Sequence, residues 1–445
     1  MILNLEYFQK LREMPTWRKL YQGPNMKNRD RYPIAQVMRR FHIKEWGGME
    51  GAVWNTSLGL KQQHHINSHI LCTQALNSVP SEVIDNIPIE RFRYHYPYIG
   101  LTKEKRLNLD KKGGNPYSFS LSQRLLKGEF RLYHCHTMQR MAAMVRYAAR
   151  RRGLPYVISL HGGQFTVPKS EIDSLSKPLQ NTFNAGKALD LLLQPQKVLT
   201  DASGIICIGY NEYLKTQACF PDKPVIYLPN GVNFSHFSTP VSLDVHQHLH
   251  IPKGRKLLLS VGRIDSQKNQ LMLIDLLSRL HAKGETQYQL ILAGPVIQSS
   301  YLSQLLRRIE RTRLQAHVTI IPGIEPDNEL LPALYQQSSC FLLASTHEPF
   351  GIVVLEAWSA GLPVVASRVG SLVHLIRHNH DGLLFNPDNL DSLQANVSKV
   401  LNSPSLATRL SEHGLARVAS EYCWPQLVCH LEAFYRTVEN WHYSK

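Results

Sequence analysis

Short apolar runs alternate with longer amphipathic stretches along most of the chain. In the first half, seven β-rich runs are predicted as strands or strand ends: "YPIAQVMRRF", "HINSHILCTQ", "ERFRYHYPYI", "FRLYHCHT", "LPYVISLHGG", "ASGIICIG" and "PVIYLPNG". Among them, "MQRMAAMVRYAARRRG" has helical spacing and ends at Gly153, a typical helix stop. Strands that alternate with helices favour a parallel α/β architecture.

This alternation is interrupted once. Residues 233–252 are polar and irregular, which predicts a linker. The pattern then restarts with the strands "RKLLLSVGR", "YQLILAGP", "HVTIIPG" and "SCFLLAS", separated by helices such as "KNQLMLIDLLSRLHAKG" and "NELLPALYQQS". The chain therefore predicts an α/β fold of two Rossmann-like domains of similar size, divided near residue 240.

The two ends of the chain are distinct from these domains. The stretch "PQLVCHLEAFYRTVENWH" predicts a closing helix, because Leu427, Leu431, Phe434, Tyr435 and Val438 recur on one face. The first 30 residues precede any convincing strand and fit an amphipathic surface helix. We divide the chain into an N-terminal extension (1–31), a first domain (32–240), a second domain (241–423) and a C-terminal helix (424–445).

Composition indicates a globular protein with a large core. Of the 445 residues, 43% are hydrophobic and 19% are charged. The seven cysteines are scattered without a C-x-x-C pair, which indicates reduced thiols and a cytoplasmic protein. We expect neither a signal peptide nor a membrane span, because the start lacks the basic-then-apolar order and no run of about 18 apolar residues occurs.

The formal net charge of +16 is unevenly distributed. Residues 1–170 hold 27 Lys and Arg against 11 Asp and Glu, so the whole excess lies there. A one-sided basic surface indicates an anionic partner: a membrane, a phosphorylated glycan or a nucleic acid. The alternative is basic residues that only keep the protein in solution.

The first candidate site is the stretch "LLLSVGRIDSQKNQLMLI". It predicts a strand that ends at Val261, a loop, and a helix that starts near Lys268. Open α/β sheets bind ligands outside the carboxyl ends of their strands. Arg263 and Lys268 would project there and could hold phosphate oxygens, or they are ordinary surface charges.

The second candidate site, "HEPFGIVVLEAWSAGLPVVAS", has the same strand–loop–helix form. Glu348 falls in the loop, and Gly351 starts a short helix where backbone N–H groups can approach an anion. Glu356 falls within an apolar helical segment, where an unpaired carboxylate is costly. It should therefore bond to a partner, either ligand hydroxyls or a neighbouring Arg or Lys.

Together these motifs resemble the retaining nucleotide-sugar glycosyltransferases of the GT-B fold, family 4. The resemblance rests on "VGRIDSQKN" followed by "EPFGIVVLE", with two glutamates eight residues apart, and on "EWGGME", "YHCHT", "SLHGG" and "LPNGVNFSHF" in order along the chain. One departure is Thr346, where the family has Gly. The resemblance implies two domains that face a cleft, with the C-terminal helix crossing back to the first domain.

The resemblance also implies roles for residues of the second domain. Arg263 and Lys268 should neutralise the donor diphosphate, and Glu356 should bind the ribose hydroxyls. Glu348 should face the transferred sugar, and backbone amides of Phe350 and Gly351 should lie beside it.

In the first domain, the resemblance places Gly47 and Gly48 over the diphosphate, because they have no side chain to block the approach. The alternative for this pair is an ordinary flexible turn. His136 matches the histidine near the sugar. His134 is a competing candidate for that role, and His161 in "SLHGG" is a weaker one.

The implied reaction is transfer of a hexosyl group with retention of configuration. Breaking the bond from the anomeric carbon to phosphate adds negative charge to the leaving diphosphate, which fixed cations and amides stabilise. The chain has no D-x-D motif, so we expect no metal and no cofactor, with a UDP- or GDP-sugar as donor. The two glutamates are then donor-binding groups, not the carboxylate pair of a glycosidase.

The first domain should bind the acceptor, which the resemblance places in lipopolysaccharide or polysaccharide assembly. Its basic charge suits a lipid-linked acceptor or glycan at an anionic membrane surface, so we expect a cytoplasmic enzyme that is peripheral at the inner face of the membrane. No acceptor-binding residue is predicted.

Three alternatives remain open. A sugar-nucleotide epimerase would not need the spaced glutamates. A non-catalytic glycan-binding or scaffold protein would be expected to lose the donor site. A nucleic-acid-binding protein, which we do not expect, would show a strongly salt-dependent affinity for RNA or DNA.

Overall fold

The computed structural model describes residues 32–42, 48–161, 182–324 and 328–445. The extension 1–31 and Gly47 therefore lie outside the described residues. Among the described helices, none is both long and apolar enough to cross a membrane.

The first domain is built on a mainly parallel sheet. Its strands are β1 (Ile34–Val37), β2 (Ser68–Thr73), β3 (Ser81–Ile84), β4 (Ile87–Phe92), β5 (Tyr98–Ile99), β6 (Leu132–Cys135), β7 (Tyr156–Leu160), β8 (Phe183–Asn184), β9 (Gly204–Cys207) and β10 (Val225–Tyr227). In the described part, the sheet order is β10-β9-β7-β6-β1-β2-β4-β3, and β5 pairs with β8 in a separate antiparallel ribbon.

Helices cover both faces of this sheet. They are α1 (Gly48–His64), α2 (Lys103–Lys112), α3 (Phe119–Lys127), α4 (Gln139–Arg152), α5 (Lys187–Leu193), α6 (Val198–Asp201) and α7 (Tyr210–Cys219). Side chains alternate between the layers with the strand period of two. In β6, Tyr133 and Cys135 pack among residues of α3 and α4, whereas Leu132 packs against the C-terminal helix.

The second domain is built on a parallel sheet. Its strands are β11 (Lys256–Val261), β12 (Tyr288–Ala293), β13 (Val318–Ile321), β14 (Cys340–Leu343), β15 (Val364–Ser367) and β16 (Leu383–Phe385), in the order β13-β12-β11-β14-β15-β16. Its helices are α8 (Phe234–Ser238), α9 (Val245–His248), α10 (Gln270–Ala282), α11 (Ser299–Arg311), α12 (Leu330–Gln337), α13 (Ile352–Ser359), α14 (Leu372–Leu375), α15 (Leu390–Asn402) and α16 (Pro404–Glu421). The predicted two-domain α/β fold is confirmed.

The C-terminal helix α17 (Trp424–Tyr443) crosses back to the first domain, as predicted. Two glycines allow its close approach. A Cβ on Gly59 of α1 would lie 2.6 Å from a methyl of Val428, and one on Gly204 of β9 would lie 2.4 Å from a methyl of Val438. Larger residues at these two glycines would therefore push α17 away from α1 and from β9.

Two local features differ from the sequence prediction. Residues 233–252 are not wholly irregular, because α8 and α9 lie within them, with N-caps Asn233 and Asp244. The edge hairpin β3–β4 was not predicted. Its turn residues Asp85 and Asn86 both adopt positive φ, of 47° and 58°, the backbone that two-residue hairpins favour. The exact domain boundaries stay a prediction.

Candidate active site

The two predicted loops of the second domain lie side by side. Strands β11 and β14 are parallel neighbours, so the loops that follow them leave the same edge of the sheet. Backbone and side-chain hydrogen bonds join the loops: the Thr346 amide donates to the Gln267 carbonyl at 2.8 Å, and the Gln267 side chain donates to the His347 carbonyl at 3.0 Å. The loops therefore form one structural unit.

At the centre of this unit, Lys268 and Glu348 form an ion pair. Lys268 Nζ lies 2.5 Å from Glu348 Oε2, and the side chains are only 13% and 8% exposed. The hydroxyl of Ser345 donates to the same carboxylate oxygen at 3.1 Å. Because both charges are largely removed from water, each depends on the other for compensation.

Arg263 lies at the rim of the loop unit, and its side chain is 49% exposed. Its Nε lies 3.1 Å from Asp265 Oδ2, and Nη2 donates to Gln267 Oε1 at 2.8 Å. The Arg263 carbonyl accepts from the side chain of Gln270 at 2.8 Å. The guanidinium is thus oriented by its neighbours but still accessible.

Glu356 lies on α13 and accepts a hydrogen bond from the phenol of Tyr335 at 2.6 Å. Within the protein the partner is therefore a phenol and not the Arg or Lys named as one alternative; the predicted contact with ligand hydroxyls stays a prediction. Burial raises the pKa of Glu356, and the Tyr335 hydrogen bond opposes that rise. Only Oε2 is engaged; among the described residues, no hydrogen bond reaches Oε1.

Gly351 caps the N-terminus of α13 with φ of 100°. A Cβ there would lie 2.7 Å from a methyl of Leu372, so both the backbone conformation and the space require glycine. Phe350 is buried, with its ring centroid 6.4 Å from that of Tyr422. Its side chain anchors the loop, which leaves only its backbone to face a ligand.

A third loop, 368–371, was not predicted as part of the site. Gly370 has φ of 51°, and a Cβ there would lie 2.2 Å from the carbonyl oxygen of Glu348. Ser371 donates its amide to that oxygen at 3.0 Å and its hydroxyl to the Pro349 carbonyl at 2.5 Å. This loop therefore fixes the backbone of Glu348. A glycine three residues after the strand "VVAS" was the only signal for it.

The first domain contacts the second beside these loops. A Cβ on Gly48 would lie 2.9 Å from Ile352 Cδ1, at the start of α13. Asn211 Oδ1 lies 3.0 Å from His374 Nε2. Gly48 thus packs closely against the start of α13. Its predicted position over the diphosphate stays a prediction, and Gly47 lies outside the described residues.

His136 lies at the end of β6 and is 4% exposed. Its Nε2 lies 2.9 Å from Gln36 Oε1, and its Nδ1 lies 3.3 Å from His161 Nε2. Both ring nitrogens are therefore engaged within the protein. The neighbouring His134 is engaged on both sides too, at 2.7 Å from Ser159 Oγ and 2.6 Å from the phenol of Tyr435.

His161 differs from the other two histidines. It is partly exposed, and its Nδ1 has no hydrogen-bond partner among the described residues. Burial lowers the pKa of all three rings: His134 to about 3, His161 to about 4, and His136 well below its ordinary value. All three are therefore neutral at pH 7.

Among the described residues, no group of three or more His, Cys, Asp or Glu is placed to hold a metal ion. The loop unit itself presents ammonium, guanidinium, carboxylate and backbone amide groups. These groups suit a phosphorylated and polyhydroxylated ligand.

Comparison with known proteins gives matches in both sequence and fold. Residues 243–417 match the family described as "Glycosyl transferases group 1". An uncharacterized glycosyltransferase of Methanocaldococcus jannaschii is 25% identical over 67% of this chain and 73% of its own length. The alpha-1,3/1,6-mannosyltransferase of Homo sapiens is 30% identical over 45% of this chain, which spans about half of that protein, 49%.

The fold resembles the crystal structure of Anabaena HepE in complex with UDP and glucose. The TM-score is 0.65 at 16% identity, and the match covers 91% of this chain and 99% of the other. The two domains and this structural match define a GT-B fold, and the loop unit belongs to the second domain. More particularly, its second domain carries the glycosyl transferases group 1 sequence at residues 243–417. The predicted resemblance is confirmed at this level.

Proposed function

We propose that this enzyme transfers a hexosyl group from a nucleoside-diphosphate sugar to a glycan or lipid-linked acceptor, with retention and without a metal. The observation that carries the proposal is the buried pair of Lys268 and Glu348, held between two joined loops beside accessible Arg263. A cation and an anion at one point suit a ligand that is a phosphate at one end and a sugar at the other.

Donor binding uses both partners of this pair. The ammonium of Lys268 and the guanidinium of Arg263 bind the diphosphate. Lys268 thereby separates from Glu348, whose carboxylate then accepts hydrogen bonds from sugar hydroxyls. The backbone N–H groups at Phe350 and Gly351 lie beside it. UDP accompanies the Anabaena protein, which supports a UDP-sugar here, and the human relative's name supports mannose as one candidate sugar.

Glu356 binds the ribose of the nucleotide. Its Oε1 accepts from a ribose hydroxyl while Tyr335 holds Oε2 in place. This arrangement supplies a fixed acceptor at a site where an unpaired charge would otherwise be costly.

The reaction breaks the bond between the anomeric carbon and the donor phosphate oxygen. The acceptor oxygen forms its bond to that carbon on the same face, and its proton goes to a leaving phosphate oxygen. Lys268 and Arg263 stabilise the new phosphate charge without reorganising. Glu348 is a binding group in this scheme, so no covalent glycosyl-enzyme is formed.

In the first domain, we assign the contact with the sugar to His161 in place of His136. The reason is hydrogen bonding: both nitrogens of His136 are already engaged, whereas Nδ1 of His161 has no partner among the residues that the structure describes. Gly48 allows the first domain to approach the donor.

The acceptor surface lies on the first domain and faces an anionic membrane. Ile99 and Phe183 are opposite each other in the β5–β8 ribbon and are 64% and 67% exposed. Residues opposite each other in a ladder present their side chains on one face. Two further leucines, Leu191 and Leu192 of α5, are also exposed.

Beside Leu192 is a cavity of about 350 Å³ lined by arginines Arg146, Arg150 and Arg151. Asp201 pairs with two of them, at 2.5 and 2.9 Å, which leaves an excess of positive charge. Exposed leucines next to arginines suit the acyl chains and phosphates of a bilayer. A nucleic-acid-binding surface would need the positive charge but not the exposed leucines.

Activity is tested by incubating the protein with UDP- or GDP-hexoses and a lipid-linked acceptor in EDTA. We expect consumption of one donor and an α-linked product from an α-linked donor, as read from the anomeric proton by NMR. Inversion of configuration, a strict need for added metal, or epimerised donor without transfer would contradict the proposal.

Membrane docking is tested by flotation with anionic and neutral vesicles. The protein should float with phosphatidylglycerol vesicles, and a Leu191→Ser/Leu192→Ser variant should lose most of that binding. Leu306→Ser, at an exposed leucine of the second domain, is the control. Equal binding to neutral vesicles, or stronger binding to RNA than to vesicles, would refute this docking surface. Loss of docking with intact donor consumption would leave the transfer proposal standing.

A further inference from the structure

A hydrogen-bonded network connects the C-terminal helix to His161. Its members are Tyr435 of α17, Gln36 of β1, and the histidines His134, His136 and His161. Tyr435 and Gln36 are 399 residues apart in the chain and meet because α17 crosses back over the first sheet. Both residues are fully buried.

Tyr435 lies at the branch of this network. Its hydroxyl is 2.6 Å from His134 Nδ1 and accepts from Gln36 Nε2 at 3.4 Å. A hydroxyl has one proton, so accepting from Gln36 leaves that proton to donate to His134. In this arrangement Tyr435 is the acceptor for the Gln36 amide: the NH₂ of Gln36 faces the phenol and its oxygen faces His136.

The orientation of Gln36 decides where the proton of His136 lies. Gln36 Oε1 can only accept, so His136 Nε2 at 2.9 Å must be the donor. A neutral imidazole has one N–H. His136 Nδ1 therefore carries a lone pair and accepts from His161 Nε2 at 3.3 Å. His161 then has its proton on Nε2, and its Nδ1 is an acceptor.

Reversing the Gln36 amide would reverse every one of these roles. Gln36 would donate to His136 Nε2, the proton of His136 would move to Nδ1, and His161 would present a donor at Nδ1 in place of an acceptor. The chemical character of His161 therefore depends on a glutamine that it does not touch. Burial lowers the pKa of all three rings, so each carries a single proton, and the hydrogen bonds decide which nitrogen holds it.

We propose that Tyr435 and Gln36 are positioning residues that hold His161 as an Nδ1 hydrogen-bond acceptor for a sugar hydroxyl. The contact with sugar rests on the proposed function; the proton arrangement does not. Helix α17 therefore contributes a residue that positions the site, in addition to packing against the first domain.

The proton positions are measured directly in the free protein by long-range ¹H–¹⁵N correlation of ¹⁵N-histidine-labelled samples, because the two tautomers have distinct ring nitrogen shifts. His161, assigned by a His161→Asn variant, should show the Nε2–H tautomer. An Nδ1–H tautomer in the wild type would overturn the proposal.

Two variants test the dependence on the network. Tyr435→Phe removes the group that orients Gln36, so His161 should become a mixture of tautomers. Gln36→Glu presents only acceptors; it favours a second proton on His136, which would then donate from Nδ1 and turn His161 into the Nδ1–H form. Tyr133→Phe is the control, since that buried phenol donates to the Leu125 carbonyl outside the network.

Kinetics separate positioning from general damage. Tyr435→Phe should lower kcat roughly two- to tenfold, the size of one neutral hydrogen bond, with little change in donor KM, because the nucleotide binds the other domain. If neither variant moves the His161 tautomer, the proposal is wrong. If Tyr435→Phe fails to fold, the wild-type spectrum and Gln36→Glu still decide. If the tautomers are as expected but the protein transfers no sugar, the proposed function is wrong and the proposed proton arrangement still holds.

Discussion

The two sides of the cleft present opposite kinds of chemistry. On the second domain, the loop unit holds charged groups paired with each other, Lys268 with Glu348 and Arg263 with Asp265. On the first domain, the site consists of three neutral histidines linked by hydrogen bonds, two of them buried and His161 partly exposed. Under the proposed function, the second domain compensates the charge of the leaving diphosphate, and the first domain orients the neutral sugar.

The two sides also differ in how far the sequence reveals them. The loop unit depends on residues close together along the chain, so strand ends, glycines and glutamate spacing were enough to nominate it. The histidine network depends on Tyr435, whose apolar helix position gave no hint of a polar role. The sequence therefore nominated His136, whereas our proposal assigns the sugar contact to His161.

Tertiary contacts account for the other gaps. The sequence could not show that Glu356 would be held by Tyr335, because 21 residues and a strand separate them. It could not show that Gly370 lies against Glu348, since only the folded sheet brings loop 368–371 to that carbonyl. The alternation of strands and helices, by contrast, is local and gave the two-domain fold and the closing helix.

The largest expected effect comes from removing the positive charge of Lys268 from the loop unit of the second domain. Lys268→Ala should lower kcat roughly 10²–10³-fold, the cost typical of losing one stabilising group from a site of developing charge. Rates with saturating donor measure this. The control is Lys283→Ala, at an exposed lysine just after α10, and its kcat should be unchanged. If Lys268→Ala lowered kcat by less than tenfold, the proposed contrast between the two domains would be wrong.

The second effect concerns the loop that supports Glu348. Gly370→Ala should lower the melting temperature and donor affinity, because its Cβ would overlap the Glu348 carbonyl. Gly284→Ala is matched: it also has positive φ, of 85°, but no atom lies within 4 Å of a Cβ. Gly284→Ala should lower the free energy of unfolding by only about 1 kcal/mol. Equal melting temperatures for the two variants would show that loop 368–371 does not constrain the site.

A third effect concerns nucleotide binding. Glu356→Gln keeps the shape but removes the charge, and should weaken donor affinity roughly tenfold or more, as expected for a hydrogen bond to an ionised group. Isothermal titration with the nucleoside diphosphate measures it, with surface variant Glu310→Gln as control. Unchanged affinity would mean that Glu356 is a structural carboxylate.

The smallest effect is a shift with pH. Binding that needs ionised Glu356 is lost as pH falls through its pKa, which burial raises above the ordinary value. Tyr335→Phe removes the hydrogen bond that opposes this rise, so binding should fail at a higher pH than in the wild type. Donor affinity between pH 4 and 8 measures the shift. If Tyr335→Phe instead lost donor binding at a lower pH than the wild type, the assigned role of Tyr335 would be contradicted.

The central claim, that the joined loops bind a nucleotide-sugar without a metal, is tested most directly by titrating UDP-, GDP- and ADP-sugars into the protein in EDTA. We expect one nucleotide class to bind the wild type, with Lys268→Ala and Glu356→Gln both weakened and Lys283→Ala unaffected. Binding only after addition of Mg²⁺, or equal binding by all four proteins, would contradict the account.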